Sequence, residues 1–180
     1  AANGARVVSC EIRRNHSESG GAGVFLLNSE LHNSLIADNR GGELGSGIYA
    51  GTSIVTGCTI TNNIFEGGAY SEGGGAFLWN SQMQRCLVAN NGAFSRWGVL
   101  GGGIFCTNSA IGNSLIIGNI AKSTNGASAG SGGGVFMRGG SVVNCTIAGN
   151  RAEDPTGSPE RGRGGGVFME SGTMTNTITY

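Results

Sequence analysis

A two-part unit recurs six times along the chain, and one of its internal distances never changes. The first part is glycine, a small residue, glycine, an aliphatic residue and an aromatic. It reads Gly21-Ala22-Gly23-Val24-Phe25, then Gly45-Ser46-Gly47-Ile48-Tyr49, and starts again at Gly73, Gly101, Gly132 and Gly164. The second part ends on an asparagine, at Asn15, Asn39, Asn63, Asn91, Asn119 and Asn150. From each aromatic to the next asparagine the distance is always 14 positions: Phe25 to Asn39, Tyr49 to Asn63, Phe77 to Asn91, Phe105 to Asn119 and Phe136 to Asn150. From each asparagine to the next aromatic it grows from 10 to 18. One rigid and one elastic segment per unit describes a solenoid whose insertions all leave at one corner.

The rigid segment has the character of strand. Columns of Val7, Leu31, Val55, Met83, Ile111 and Val142, and of Ile12, Ile36, Ile60, Val88, Ile116 and Ile147, recur at fixed distances before each asparagine. Around the second column apolar and mixed residues alternate with a period of two, and no window sustains a period of 3.6. Short strands and tight turns in coils of 24 to 32 residues predict an all-β fold, a right-handed parallel β-helix of six to seven coils with variable loops at one corner. The expected unit is one domain over residues 1–180, cut from a longer solenoid. The asparagines are expected at a corner, where this residue type tolerates a left-handed backbone and its amide reaches the next amide along the axis. Glycine, at 36 of 180 residues, has no Gly-X-Y period, which excludes collagen. It serves instead to return loops of any length to the sheet.

Net charge is zero and charged residues make up 12%, so neither nucleic-acid binding nor docking on anionic lipid is expected. No apolar run is long enough to cross a membrane. The N-terminal AANGARVVSC lacks the regions of a signal peptide, implying either a removed leader or an excised piece. Cys10, Cys58, Cys86 and Cys145 share one column with Ser34 and Ser114, the behaviour of small adaptable residues. Cys58 and Cys86 fall on adjacent coils, and whether they pair is open. Cys106 stands in another column, with Leu26, Leu78 and Met137. His16 and His32 stand alone, no ligand spacing suggests a metal, and no cofactor is expected.

The aromatic column, Phe25, Tyr49, Phe77, Phe105, Phe136 and Phe168, has apolar neighbours on both sides. Alternation buries only one set, so the aliphatic columns are expected in the lumen and the aromatics in a partly covered outer stripe. The third and fourth variable loops, residues 64–72 and 92–100, carry Phe65, Tyr70, Phe94 and Trp97, and Trp79 has outward parity. These aromatics either form a platform for sugar rings or a partner protein, or fold back over the stripe. Glu153, Asp154 and Glu160 share a loop with Arg151, Arg161 and Arg163, which reads as self-neutralising charge.

The paired motifs resemble the polymorphic outer-membrane protein repeat of chlamydiae and related bacterial surface β-helices. That family alternates a Gly-Gly-Ala-aliphatic motif with Phe-x-x-Asn. Here Gly74-Gly75-Ala76-Phe77 stands for the first and Ile36-Ala37-Asp38-Asn39 or Ile60-Thr61-Asn62-Asn63 for the second. The chain departs in having Ile or Val in place of Phe, and in lacking an autotransporter barrel. The resemblance covers nearly the whole chain and implies an extracellular or bacterial cell-surface protein involved in adhesion. Pectate lyases, polygalacturonases and alginate epimerases resemble the scaffold too, but their clustered acids have no counterpart among the eleven dispersed acids here.

Three functions are therefore in view. The first is a non-catalytic solenoid binding a glycan or surface partner. The second is a structural rod that self-associates end to end, since neither end carries an amphipathic cap. The third is a polysaccharide lyase or hydrolase.

Overall fold

The computed structural model describes residues 2–125, 129–154 and 162–180. It is all-β, a parallel β-solenoid of about six turns, with no helix among the described residues. Every strand pairs in parallel with its counterpart one coil away. Phe25, Tyr49, Phe77, Phe105, Phe136 and Phe168 form one continuous register. Ile12, Ile36, Ile60, Val88, Ile116 and Ile147 form another.

Each coil has three faces around the core. The first is the strand after the glycine triplet (Val24–Leu27, Ile48–Gly51, Ala76–Trp79) and the second a three-residue strand (Glu30–His32, Ile54–Thr56, Gln82–Gln84). In the later coils both merge into nine-residue strands, Ile104–Gly112, Val135–Val143 and Val167–Thr175, so the two faces belong to one eleven-stranded sheet. The third face is a seven-stranded sheet that includes Leu35–Ala37, Thr59–Thr61 and Leu87–Ala89.

Alternation decides what fills the lumen. Val24, Ile48, Ala76, Ile104 and Val135 point inward with Leu26, Ala50, Leu78, Cys106 and Met137, meeting Leu31, Val55, Met83 and Ile111 from the second face and Ile36, Ile60, Val88 and Ile116 from the third. The aromatics between them point outward and form a separate cluster.

The corners follow a common rule: a residue with positive φ, then a small polar residue whose side chain turns inward. At the third corner the left-handed residues are Arg14, Asp38, Asn62, Asn90, Gly118 and Gly149, with φ between 53° and 64°. The ladder asparagines come one position later and are not among the positive-φ residues, which corrects the expectation that asparagine itself takes the left-handed turn. Making the turn one residue earlier swings the carboxamide into the interior. There Asn91 Nδ2 donates to Asn119 Oδ1 at 3.0 Å and to the Ile60 carbonyl at 2.9 Å. Its Oδ1 accepts from Asn63 Nδ2 at 3.0 Å and from Asn63 N at 2.9 Å. All four bonds available to a carboxamide in this setting are made, and the same set recurs at Asn39, Asn63 and Asn119.

The asparagine ladder also explains the last glycine of each triplet. A Cβ on Gly75 would lie 2.9 Å from the Asn91 carboxamide and 2.7 Å from the Gly103 carbonyl oxygen. The first glycine has a different reason: Gly101 has φ +77°, and a Cβ there would lie 2.2 Å from the Ile104 carbonyl oxygen.

The cysteine column occupies the second corner. Ser34 Oγ donates to the His32 carbonyl at 2.7 Å and Ser114 Oγ to Gly112 at 2.7 Å. Cys58 Sγ makes the equivalent contact with Thr56 at 3.4 Å and Cys86 Sγ with Gln84 at 3.3 Å. The thiols thus close the same turn as the hydroxyls, and all five cysteines are free. The Cys86 thiol is pushed up by its hydrogen bond to Cys58 and by burial, and burial raises the Cys106 thiol to about 11.

Candidate functional site

Among the described residues the elastic segments contain paired strands. After each ladder asparagine the chain runs outward as a strand (Ile64–Glu66, Gly92–Ser95, Ile120–Ser123, Arg151–Glu153) in a six-stranded sheet. It returns as Tyr70–Glu72, Gly98–Leu100 and Gly130–Ser131, which form a three-stranded sheet. Stacked coils therefore build a lateral arm beside the solenoid. Once one elastic segment lies against another, its backbone donors are satisfied in register, whatever its side chains.

The arm has a small interior of its own, made by Ala93, Val99 and Ala121; Ser71, in register with Val99, and Ser95 and Ser123, two positions after Ala93 and Ala121, are buried too. Phe65, in register with Ala93, is only 5% exposed. Placed among the surface aromatics by its sequence context, it is a buried residue and unavailable to a ligand.

The aromatic stripe lies where the arm meets the solenoid. Its rings stack with centroids 4.4 to 5.4 Å apart and planes within 3° to 17°. Leu44 and Leu100 pack against it from the arm side. Arg138 lies 5.6 Å from the Phe105 centroid and 5.7 Å from that of Phe136, and its Nε donates to Glu170 at 2.6 Å. Phe77, Phe105 and Phe136 are buried, so this part of the stripe is packing between arm and solenoid. Glu72, on the return strand, has its carboxyl pushed up by burial and partly relieved by the charge of Arg138.

The other four candidate aromatics reach the surface at separate places. Phe94 is half-buried, its ring against Gly92 on the outgoing sheet. Tyr70 is 64% exposed, and its ring flanks Gly98 of the next coil. Trp79 belongs to the first face of the solenoid, over Gly51 and beside the Tyr49 column; it is 43% exposed. Trp97 is 49% exposed at the turn of the fourth arm segment. Among the described residues the only ring-on-ring contacts are those of the stripe, so these four do not stack on one another.

Trp97 instead forms a wall of an open cleft of about 340 Å³ lined by Gly67, Gly68, Ala69, Arg96 and Thr124. Three successive coils contribute to it. The backbone is pinned: Trp97 N donates to Ala69 O at 2.8 Å, Gly67 N to Phe94 O at 3.0 Å, and Thr124 N to Ser95 O at 2.8 Å. Ser95 Oγ closes the turn on Gly98 O at 2.7 Å. Arg96 and the two glycines were not legible as site residues from sequence spacing; their one signal is adjacency to Trp97 and Tyr70 in the elastic segments.

In the sixth elastic segment Glu153 pairs with Lys122 and Arg151, while Glu160 and Arg161 lie outside the described residues. Among the described residues no three of His, Cys, Asp and Glu converge as a metal site. Comparison of the chain with protein-family models, with curated proteins and with solved structures gives no match.

Proposed function

We propose that this chain is a non-catalytic, extracellular β-solenoid segment whose arm displays a binding site for a glycan or a surface partner. The observation that carries the reading is Trp97: a half-exposed indole in a cleft whose backbone is fixed by hydrogen bonds from neighbouring coils. Rigid aromatic anchors cost little conformational entropy on binding. The resemblance of the paired Gly-rich and x-x-Asn motifs to polymorphic outer-membrane protein repeats supports a bacterial surface location and adhesion. A glycan array probed with wild type and with Trp97→Ala tests the reading. Selective retention by the wild type, lost in the variant, is the expected result; retention by neither removes the glycan-binding function.

A second reading, a rod stacking end to end, draws on the parallel in-register pairing of equivalent strands coil on coil, the same pairing that a second copy would extend. Light scattering over a concentration series tests it, and a constant monomer mass at high concentration rules it out.

A further inference from the structure

We infer that the cleft at the tip of the arm selects a sugar carrying an anionic group, a carboxylate or a sulfate, with Trp97 taking the ring face and Arg96 the anion. This rests on the glycan-binding reading and adds a ligand class to it.

The geometry begins with the space. Gly67, Gly68 and Ala69 present almost no side chain, and a Cβ added to Gly67 would meet nothing within 4 Å. The third and fourth elastic segments are of equal length, each 14 residues from asparagine to aromatic, whereas the fifth spans 17. Thr124 of that longer segment reaches the cleft, so a wall stands on one side and bare glycine on the other. At about 340 Å³ the cleft is at the lower end of the range for small-ligand sites, about 300–1,000 Å³, and of a size for one or two sugar units rather than a peptide groove.

Charge then selects within that size class. Lys122 lies 3.3 Å from the Glu153 carboxylate, Arg138 2.6 Å from Glu170 and Arg40 3.9 Å from Glu66. Arg96 is exposed and, like Arg14, Arg85 and Arg163, has no carboxylate partner among the described residues; of these four it is the one that lines this cleft. A guanidinium offers a planar fork of donors that matches a carboxylate or sulfate edge in two-point contact. Its backbone is held by Arg96 N to Gly68 O at 3.3 Å and by Ser123 Oγ to Arg96 O at 3.2 Å, which fixes the fork's origin relative to Trp97.

Isothermal titration with three trisaccharides tests this: a uronic-acid trimer, its neutral methyl ester, and a sulfated neutral trimer. Wild type, Arg96→Gln and Trp97→Ala are compared, with circular dichroism confirming the fold of each. The expected result is tenfold or greater weakening for the methyl ester relative to the free acid, a similar loss in Arg96→Gln, and loss of all binding in Trp97→Ala. Binding of the sulfated trimer alone, lost in Arg96→Gln, supports the anionic class with sulfate as its source. Equal binding of acid and ester, or an Arg96→Gln variant with unchanged affinity, overturns the anion selectivity while leaving glycan binding in place. Binding of none of the three by wild type overturns both.

Discussion

Replacing Asn91 by alanine is expected to cost far more than the same change at Asn15, although both stand in one ladder. Asn91 is 1% exposed and makes four side-chain hydrogen bonds. Removing its carboxamide strands the Asn63 backbone N–H and one Asn63 carboxamide N–H without an acceptor, and both belong to a residue that is 0% exposed. At about 1–3 kcal/mol for each buried donor left unsatisfied, the loss is about 4 kcal/mol. That is a large fraction of the ~5–15 kcal/mol that holds an ordinary domain together. Asn15 sits in the exposed first coil and donates to Asn39 Oδ1, which keeps the Asn15 backbone N–H as a donor. Water replaces what is lost there, so about 0.5–1 kcal/mol is expected. Guanidinium unfolding followed by far-ultraviolet circular dichroism measures both, with fluorescence of Trp79 and Trp97 checking that the transitions coincide. If Asn91→Ala costs under about 1 kcal/mol, or no more than Asn15→Ala, the carboxamides are not what ties the coils together.

Three further outcomes are expected. Gly101→Ala combines φ +77° with a Cβ 2.2 Å from a carbonyl oxygen and should cost about 3 kcal/mol or more by thermal unfolding, whereas Gly149→Ala, at φ +61° with nothing within 4 Å, should cost about 1 kcal/mol. Arg85 holds φ 53° in a column that elsewhere uses Asn33 and Gly57, so Arg85→Gly should stabilise by about 1 kcal/mol, and a loss in chemical denaturation would show that its side chain matters. Burial raises the Glu72 carboxyl above its ordinary value of 4.5, so the folded state binds that proton more tightly than the unfolded one. The stability this group contributes is complete below pH 4.5 and is lost as pH rises through the folded value. The melting temperature of Glu72→Gln should therefore gain on the wild type as pH rises from 4 to 7 (roughly the carboxyl range), and a constant difference would refute the assignment.

The solenoid was legible in the sequence because its rigid segment is bounded at both ends by chemistry. Gly75 is excluded from carrying a Cβ by Asn91, and the 14 residues from Phe77 to Asn91 are the length of chain that brings the two together around the core. The arm was not legible in the same way. Ile64-Phe65-Glu66 and Gly92-Ala93-Phe94 share no pattern, yet they pair residue for residue. Their partnership is imposed by the coils that hold their bases in register, not by their side chains. The fates of Phe65 and Phe94 show the consequence. Both are phenylalanines in equivalent elastic segments, but Phe65 shares inward parity with Ala93 while Phe94 stands opposite Glu66 and Lys122 on the outer face. Counted from the ladder asparagine, Phe65 is the second residue and Phe94 the third, so they differ in parity, but that count has meaning only once the segments are known to continue as paired strands. The third corner was misplaced by one residue for a related reason: Asn occurs both at the left-handed position, as in Asn90, and at the buried position after it, as in Asn91, and composition alone does not separate the two.

The carboxamide ladder also has a direction. From Asn15 to Asn119 every ladder Nδ2 donates to the Oδ1 of the coil that follows, the series ending on Asn150 Oδ1, so the amide dipoles add head to tail along the axis, and each bond polarises the next. The first coil therefore presents the oxygen end of the series and the last coil the nitrogen end. A further coil, or a second copy, is accepted in only one orientation: donor must meet acceptor, and two like ends set side by side leave buried groups of the same kind facing each other. The row of asparagines that spaces the coils thus also gives the rod an electrical sense, a built-in arrow for anything that extends it.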